Sequence, residues 1–209
     1  MSANVAHALW EKNLDWAHKI LTHPFVQGLG EGTLPETAFQ AYIAQDAYFL
    51  EAFARAYARA LADSPDRYGI YTFADLINGV LGELKLHAGY AEKWNVDLAG
   101  VRPVSATLAY TDFLDQTARS GDPGLTCAAM TPCMRLYAFL GQALKTEFPD
   151  AKHRYAEWIQ TYADPGFDAL AGQLETLLNR YAPESTPAIE TAYRTAMELE
   201  WGFFGMVDG

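Results

Sequence analysis

An all-α fold, a bundle of roughly seven or eight helices, is predicted by three features of the 209-residue sequence. Apolar residues recur at spacings near three, four and seven rather than alternating. Ser-Pro, Asp-Pro and glycine-rich clusters punctuate the chain and leave helix-length segments between them. Nowhere does a run of β-branched residues with period-two alternation stand between turn signals, and no unit repeats at fixed spacing.

Val5, Leu9, Trp16, Ile20 and Leu21 share that spacing and predict a first helix from Val5 to Leu21. The stretch from His23 to Pro35, with Gly28, Gly30 and Gly32, predicts an ordered turn, with Pro35 opening the next helix. That helix runs to about Leu61. Ser64-Pro65-Asp66 ends it, and a third helix spans Arg67 to Trp94 before the loop at Ala99 to Pro103. A fourth runs from Ser105 to Ser120. Asp122-Pro123 then supplies an N-cap and a first-turn proline for a fifth, which holds the apolar run Leu125 to Leu144. After a break at Phe148-Pro149-Asp150 come a short helix through Trp158 to Tyr162, one from Asp164-Pro165 to Tyr181, and a last one from about Pro187 to Met206. Short connections predict antiparallel neighbours in a single domain, residues 1–209.

A net charge of −11 and a pI near 4.8 weigh against a nucleic-acid backbone or an anionic membrane surface as partner, and favour a small-molecule ligand. The N-terminal stretch mixes charged and apolar residues and lacks the apolar core of a signal peptide. No run of about 18 apolar residues is present to span a bilayer, so the expected location is the cytoplasm. Cys127 and Cys133 are the two cysteines. On one helix their α-carbons stand about 9 Å apart, beyond the roughly 7 Å reach of a disulfide. Both are expected to be free thiols, as a reducing compartment requires.

Four placements carry chemistry. Cys133 and Tyr137, in Thr131-Pro132-Cys133-Met134-Arg135-Leu136-Tyr137, lie four apart and share a helical face, whereas Cys127 points elsewhere and reads as core. Asp46 interrupts the aromatic stripe of Tyr42, Phe49 and Phe53, a costly position for an acid without a partner. Glu200 is set among large apolar residues, while Glu198, about 200° round the helix, faces solvent. Glu83 and His87 stand at i, i+4. They could be half of a carboxylate-bridged metal centre, but His7, His18, His23 and His153 offer no second pair, so they read as an internal hydrogen-bonded pair.

Six ordered blocks then resemble the TenA family, the thiaminase II or aminopyrimidine aminohydrolases. They are His23 to Gly28 with Gly32 to Pro35, Gln45 to Leu50, Ala109 to Thr111, Pro132-Cys133 with Tyr137, Trp158 to Tyr162, and Glu200 with Phe203-Phe204. The resemblance implies a haem oxygenase-like fold, a homotetramer, no metal and no organic cofactor. It implies Cys133 as nucleophile and Glu200 as proton donor at a ring nitrogen. Asp46 would hold the amino group and adjacent ring nitrogen of an aminopyrimidine, Phe49 and Tyr110 would pack on the ring, and Tyr137 and Tyr162 would hydrogen-bond around the thiol and Glu200. The implied reaction is hydrolysis of 4-amino-5-aminomethyl-2-methylpyrimidine, and of thiamine, to the hydroxymethylpyrimidine. Where relatives commonly carry tryptophan, this chain has Arg135, expected to serve packing or a subunit contact. The rivals are a non-catalytic pyrimidine-binding or regulatory protein and a metal-dependent oxidase using Glu83 and His87.

Overall fold

The computed structural model describes residues 4–207, so the first three and last two residues of the expected domain lie outside it. Among the described residues ten α-helices and no strand are found. The helices are α1 (Val5–Lys12), α2 (Leu14–Leu21), α3 (Pro24–Glu31), α4 (Glu36–Ala62), α5 (Arg67–Trp94), α6 (Ser105–Ala118), α7 (Pro123–Glu147), α8 (Ala156–Tyr162), α9 (Pro165–Tyr181) and α10 (Pro187–Phe204), with a 3-10 turn at Gly205–Val207.

Several boundaries follow from their caps. Asp66 accepts a hydrogen bond from the Gly69 amide at the start of α5, and Asn95 closes that helix in the left-handed region at φ 54°. The Asp122 carboxylate accepts from the amides of Gly124 and Leu125, and Asp164 does the same for Gly166. Two expectations are corrected. The predicted first helix divides at Asn13, whose side-chain amide donates to the Leu9 carbonyl at 2.8 Å and so competes with the helical ladder. The predicted turn at His23 to Pro35 is mostly helix α3. His23 caps it, Pro24 fits its first turn, and only Gly32, at φ 76°, breaks it. Gly28 and Gly30 are there for close packing: a Cβ on Gly30 would meet the Phe148 ring at 2.5 Å.

Helices α4 and α5 pair antiparallel, Tyr57 meeting Phe73 near one end and Phe39 meeting Tyr90 and Trp94 near the other. Helix α7 is the centre of the molecule, packed against α6, α8, α9 and α10. Its Leu136, Leu140 and Leu144 are fully buried, each contributing roughly 2 kcal/mol of apolar burial. At Gly141 it touches main chain of another helix, since a Cβ there would fall 2.6 Å from the Ala163 nitrogen. Pro132 sits inside α7 and has no N–H to offer the carbonyl one turn back. Arg135 leaves on another side of α7. It donates to both Glu175 oxygens at 2.6 and 2.8 Å and to Asp168 at 2.6 Å, which ties α7 to α9 within the chain. Within the chain it forms an ion-pair link between helices. Among the described residues no helix is long and apolar enough to cross a membrane.

Candidate active site

The interior of the bundle collects the chemistry-bearing side chains from six helices. Asp46 and Phe49 come from α4, Glu83 and His87 from α5, Tyr110 from α6, Cys133 and Tyr137 from α7, Tyr162 from α8 and Glu200 from α10. Amphipathic helices turn such residues inward only when polar partners wait for them, and here they do.

Glu200 is 1 % exposed and its Oε1 accepts from the Tyr110 hydroxyl at 2.8 Å. Burial drives its carboxyl up to about 8, against the opposing hydrogen bonds from Tyr110 and the Cys133 thiol. Glu200 is therefore a neutral acid at pH 7. Cys133 is partly exposed on the cavity side, whereas Cys127 is wholly buried. Burial first, then the carboxyls of Glu200, Glu83 and Asp46, push the Cys133 thiol well above its ordinary value. Tyr110 also packs its ring on Phe49, centroids 4.7 Å apart.

The second half of the site differs from expectation. The hydrogen bond between Glu83 and His87 joins the His87 ring to the Glu83 main-chain carbonyl, 3.1 Å, and the two side chains part company. His87 Nε2 lies 2.6 Å from Asp46 Oδ2, an ion-pair contact without the alignment of a straight hydrogen bond. Burial alone would lower the His87 ring, but the charge and bonding of Asp46 raise it overall. The Glu83 carboxylate instead accepts from the Tyr162 hydroxyl at 2.6 Å. Burial and the nearby Asp46 charge lift Glu83 to about 7, against Tyr162 and His87. Tyr162 is thus a partner of Glu83 and not of Glu200. Tyr137 likewise turns from the expected thiol partnership to the Tyr42 hydroxyl at 3.5 Å, which in turn accepts from the Trp158 indole at 3.2 Å.

A closed inner cavity brings together Asp46, Phe49, Glu83, Cys133, Tyr137 and Tyr162, with Leu50, Phe53, Met134 and Phe167 completing its wall. It has room for water centres of only ≈ 10 Å³, about one water molecule. Tyr110 and Glu200 do not line it; Tyr110 packs on the lining Phe49 and donates to Glu200. An outer chamber of ≈ 440 Å³, mainly apolar, adjoins it, and Glu83, Met134 and Phe167 line both. The wall residues Met134 and Phe167 were not singled out from the sequence because nothing but tertiary packing marks them. Glu83 and His87 were visible as an i, i+4 pair, but their true partners lie on other helices. Among the described residues no group of three or more His, Cys, Asp and Glu is placed to hold a metal ion.

The fold and this site define an all-helical protein with a cavity-lining thiol, a buried carboxyl and an enclosed aromatic cavity. The chain belongs to the TENA/THI-4/PQQC family, whose model matches residues 10–208. It is 32 % identical to the aminopyrimidine aminohydrolase of Halalkalibacterium halodurans, over 96 % of this chain and 91 % of that one. It is also 39 % identical to the bifunctional TH2 protein of Arabidopsis thaliana, over 87 % of this chain, and spans 33 % of that longer protein. A solved structure of a TenA family transcription regulator from Silicibacter sp. TM1040 superposes with a TM-score of 0.88 at 31 % identity, covering 96 % of this chain and 95 % of that one. A domain from Shewanella denitrificans with a heme oxygenase-like fold aligns at a TM-score of 0.72 and 13 % identity, over 96 % and 89 % of the two chains, which places the fold.

Proposed function

We propose that this chain is a cofactor-free hydrolase of thiamine salvage. It converts 4-amino-5-aminomethyl-2-methylpyrimidine, and thiamine, to 4-amino-5-hydroxymethyl-2-methylpyrimidine through a Cys133 adduct. Similarity to aminopyrimidine aminohydrolases supports the reaction class. The observation that carries the mechanism is the buried Glu200 carboxyl, held by Tyr110 and raised by burial to about 8, which acts on the Cys133 thiol.

That pairing solves a proton problem. An aminopyrimidine ring is too electron-rich for attack by water, and a thiol held far above pH 7 is no nucleophile by itself. Glu200 gives its proton to the ring nitrogen and takes the thiol proton as sulfur adds to the neighbouring ring carbon. The electrons so released expel the amine or thiazole from the CH₂ group and leave an exocyclic methylene. Water adds to it, sulfur departs and aromaticity returns. Asp46, backed by His87, holds the amidine-like edge as an anion, and Phe49 and Tyr110 pack the ring. A pyrimidine needs more than the closed cavity offers, so Met134 and Phe167 move aside on binding, as soft and peripheral groups can. The outer chamber gives the leaving group a place beyond them.

Residues 1–209 act in this reading as one domain, supported by a contiguous core. The cytoplasm fits two free thiols. A homotetramer would cover Tyr68, Ile70, Tyr71 and Leu81, which α5 exposes, and light scattering at four times 23.1 kDa tests it. The regulator alternative keeps the pocket without the chemistry. Ammonia release from the aminomethylpyrimidine decides: Cys133→Ser abolishes it while pyrimidine binding persists, and Cys127→Ser retains it. Undiminished release by Cys133→Ser would sink the nucleophile assignment.

A further inference from the structure

The scheme above leaves one proton without a carrier. Water that adds to the exocyclic methylene must lose a proton, and Glu200 is committed to the ring nitrogen and the thiol. Glu83 occupies the position such a base needs. It is the carboxylate that lines both the inner cavity and the outer chamber, so a water arriving from the chamber meets it before the methylene. One of its oxygens is fixed by Tyr162 at 2.6 Å, which leaves the other to accept. Cys133 lines only the inner cavity, whereas Glu83 also borders the chamber.

Resting on the hydrolase reading, we propose that Glu83 is the catalytic base of the second half-reaction, taking the proton from the water that attacks the methylene. The water oxygen bonds to the CH₂ carbon and its proton passes to the Glu83 carboxylate. The exocyclic C=C pair returns to the ring, the carbon–sulfur bond then breaks with its pair on sulfur, which takes back the proton held by Glu200, and the ring nitrogen returns its own proton to the Glu200 carboxylate. No electrons are gained or lost. Glu83 then sheds its proton to solvent through the chamber.

The groups facing Glu83 tune it without competing for the role. Asp46 and Tyr42 face it from α4, Cys133 and Tyr137 from α7, Tyr162 from α8 and His87 from α5, while Asp164 borders the chamber. Of the carboxylates, Asp46 is engaged by His87, and Asp164 caps α9 through the Gly166 amide. A value of about 7 for Glu83 makes it an effective base near neutral pH.

Thiamine as substrate separates the two halves, because thiazole leaves before water adds. With Glu83→Gln, rapid mixing is expected to show a burst of one thiazole per site, followed by steady turnover lowered about 100-fold or more, the usual span for a lost base. Added 2-mercaptoethanol, whose thiolate needs no base, should restore turnover and divert the product to the pyrimidinylmethyl thioether. The acidic limb of the wild-type pH profile near 7 should vanish. If Glu83→Gln does not fold, Glu83→Asp carries the test, with the burst kept and hydration slowed. Loss of the burst together with turnover, or thiol addition without rescue, overturns the assignment. Wild-type protein that releases neither thiazole nor ammonia, or a burst that survives Cys133→Ser, overturns the hydrolase reading itself.

Discussion

Replacing Glu200 by glutamine is expected to make the protein more stable at neutral pH while destroying its activity. The Glu200 carboxyl has an ordinary value of 4.5 and is driven by burial to about 8 in the folded chain. Below 4.5 it is protonated in both states and its contribution to stability is fully present. As pH rises from 4.5 to about 8, the unfolded chain ionises while the folded one does not, and stability falls. At pH 7 that gap covers two and a half pH units, at about 1.4 kcal/mol each, or about 3 kcal/mol lost. Glutamine cannot ionise, nearly matches the shape, and still accepts from Tyr110, so the loss disappears. For a chain of this length the gain corresponds to about 6–12 °C in Tm at pH 7, shrinking to nearly nothing at pH 4.5. Paired thermal unfolding scans of wild type and Glu200→Gln across that range measure it. A difference that does not change with pH, or a mutant less stable at pH 8 than at pH 4.5 relative to wild type, would refute the reasoning.

Two further substitutions probe the frame around the site. Arg135→Ala leaves Glu175 and Asp168 without their shared cation and should cost about 2 kcal/mol in urea unfolding, with kcat unchanged because none of the three lines the cavity or the chamber. Gly141→Ala forces a Cβ against the main chain at Tyr162 and Ala163, for which about 1–3 kcal/mol of destabilisation is expected. Its turnover should fall more than its Tm suggests, since Tyr162 holds Glu83.

The sequence made some of this legible, and the reasons differ from residue to residue. Helix α5 lay where the sequence put it because Asp66 and the region of Asn95 write its ends locally. Asp122-Pro123 and Asp164-Pro165 did the same for α7 and α9. Helix α3 was hidden because Gly28 and Gly30 look like breakers when read along the chain, and like contacts only when Leu34 and Phe148 are brought beside them. The break at Asn13 rests on one side-chain hydrogen bond that competes with the ladder. For the site, periodicity gave the faces of Cys133, Asp46, Glu200, Glu83 and His87, and family resemblance ordered them. What it could not give is pairing across helices: His87 with Asp46, Tyr162 with Glu83, and Tyr137 with Tyr42 join residues 41, 79 and 95 positions apart.

The contact of Gly141 with the backbone at Tyr162 and Ala163 gives α7 and α8 a common origin. Cys133 and Tyr162, which both line the cavity, are both measured from that one point of main chain. Side chains adjust by rotamer, but a backbone resting on a glycine has no such freedom. The spacing between sulfur and phenol behaves as a fixed gauge, and the give required to admit a ring is confined to the Met134 and Phe167 wall. Substitutions in that wall should therefore alter which substrates fit, while the alignment of the thiol stays as it is.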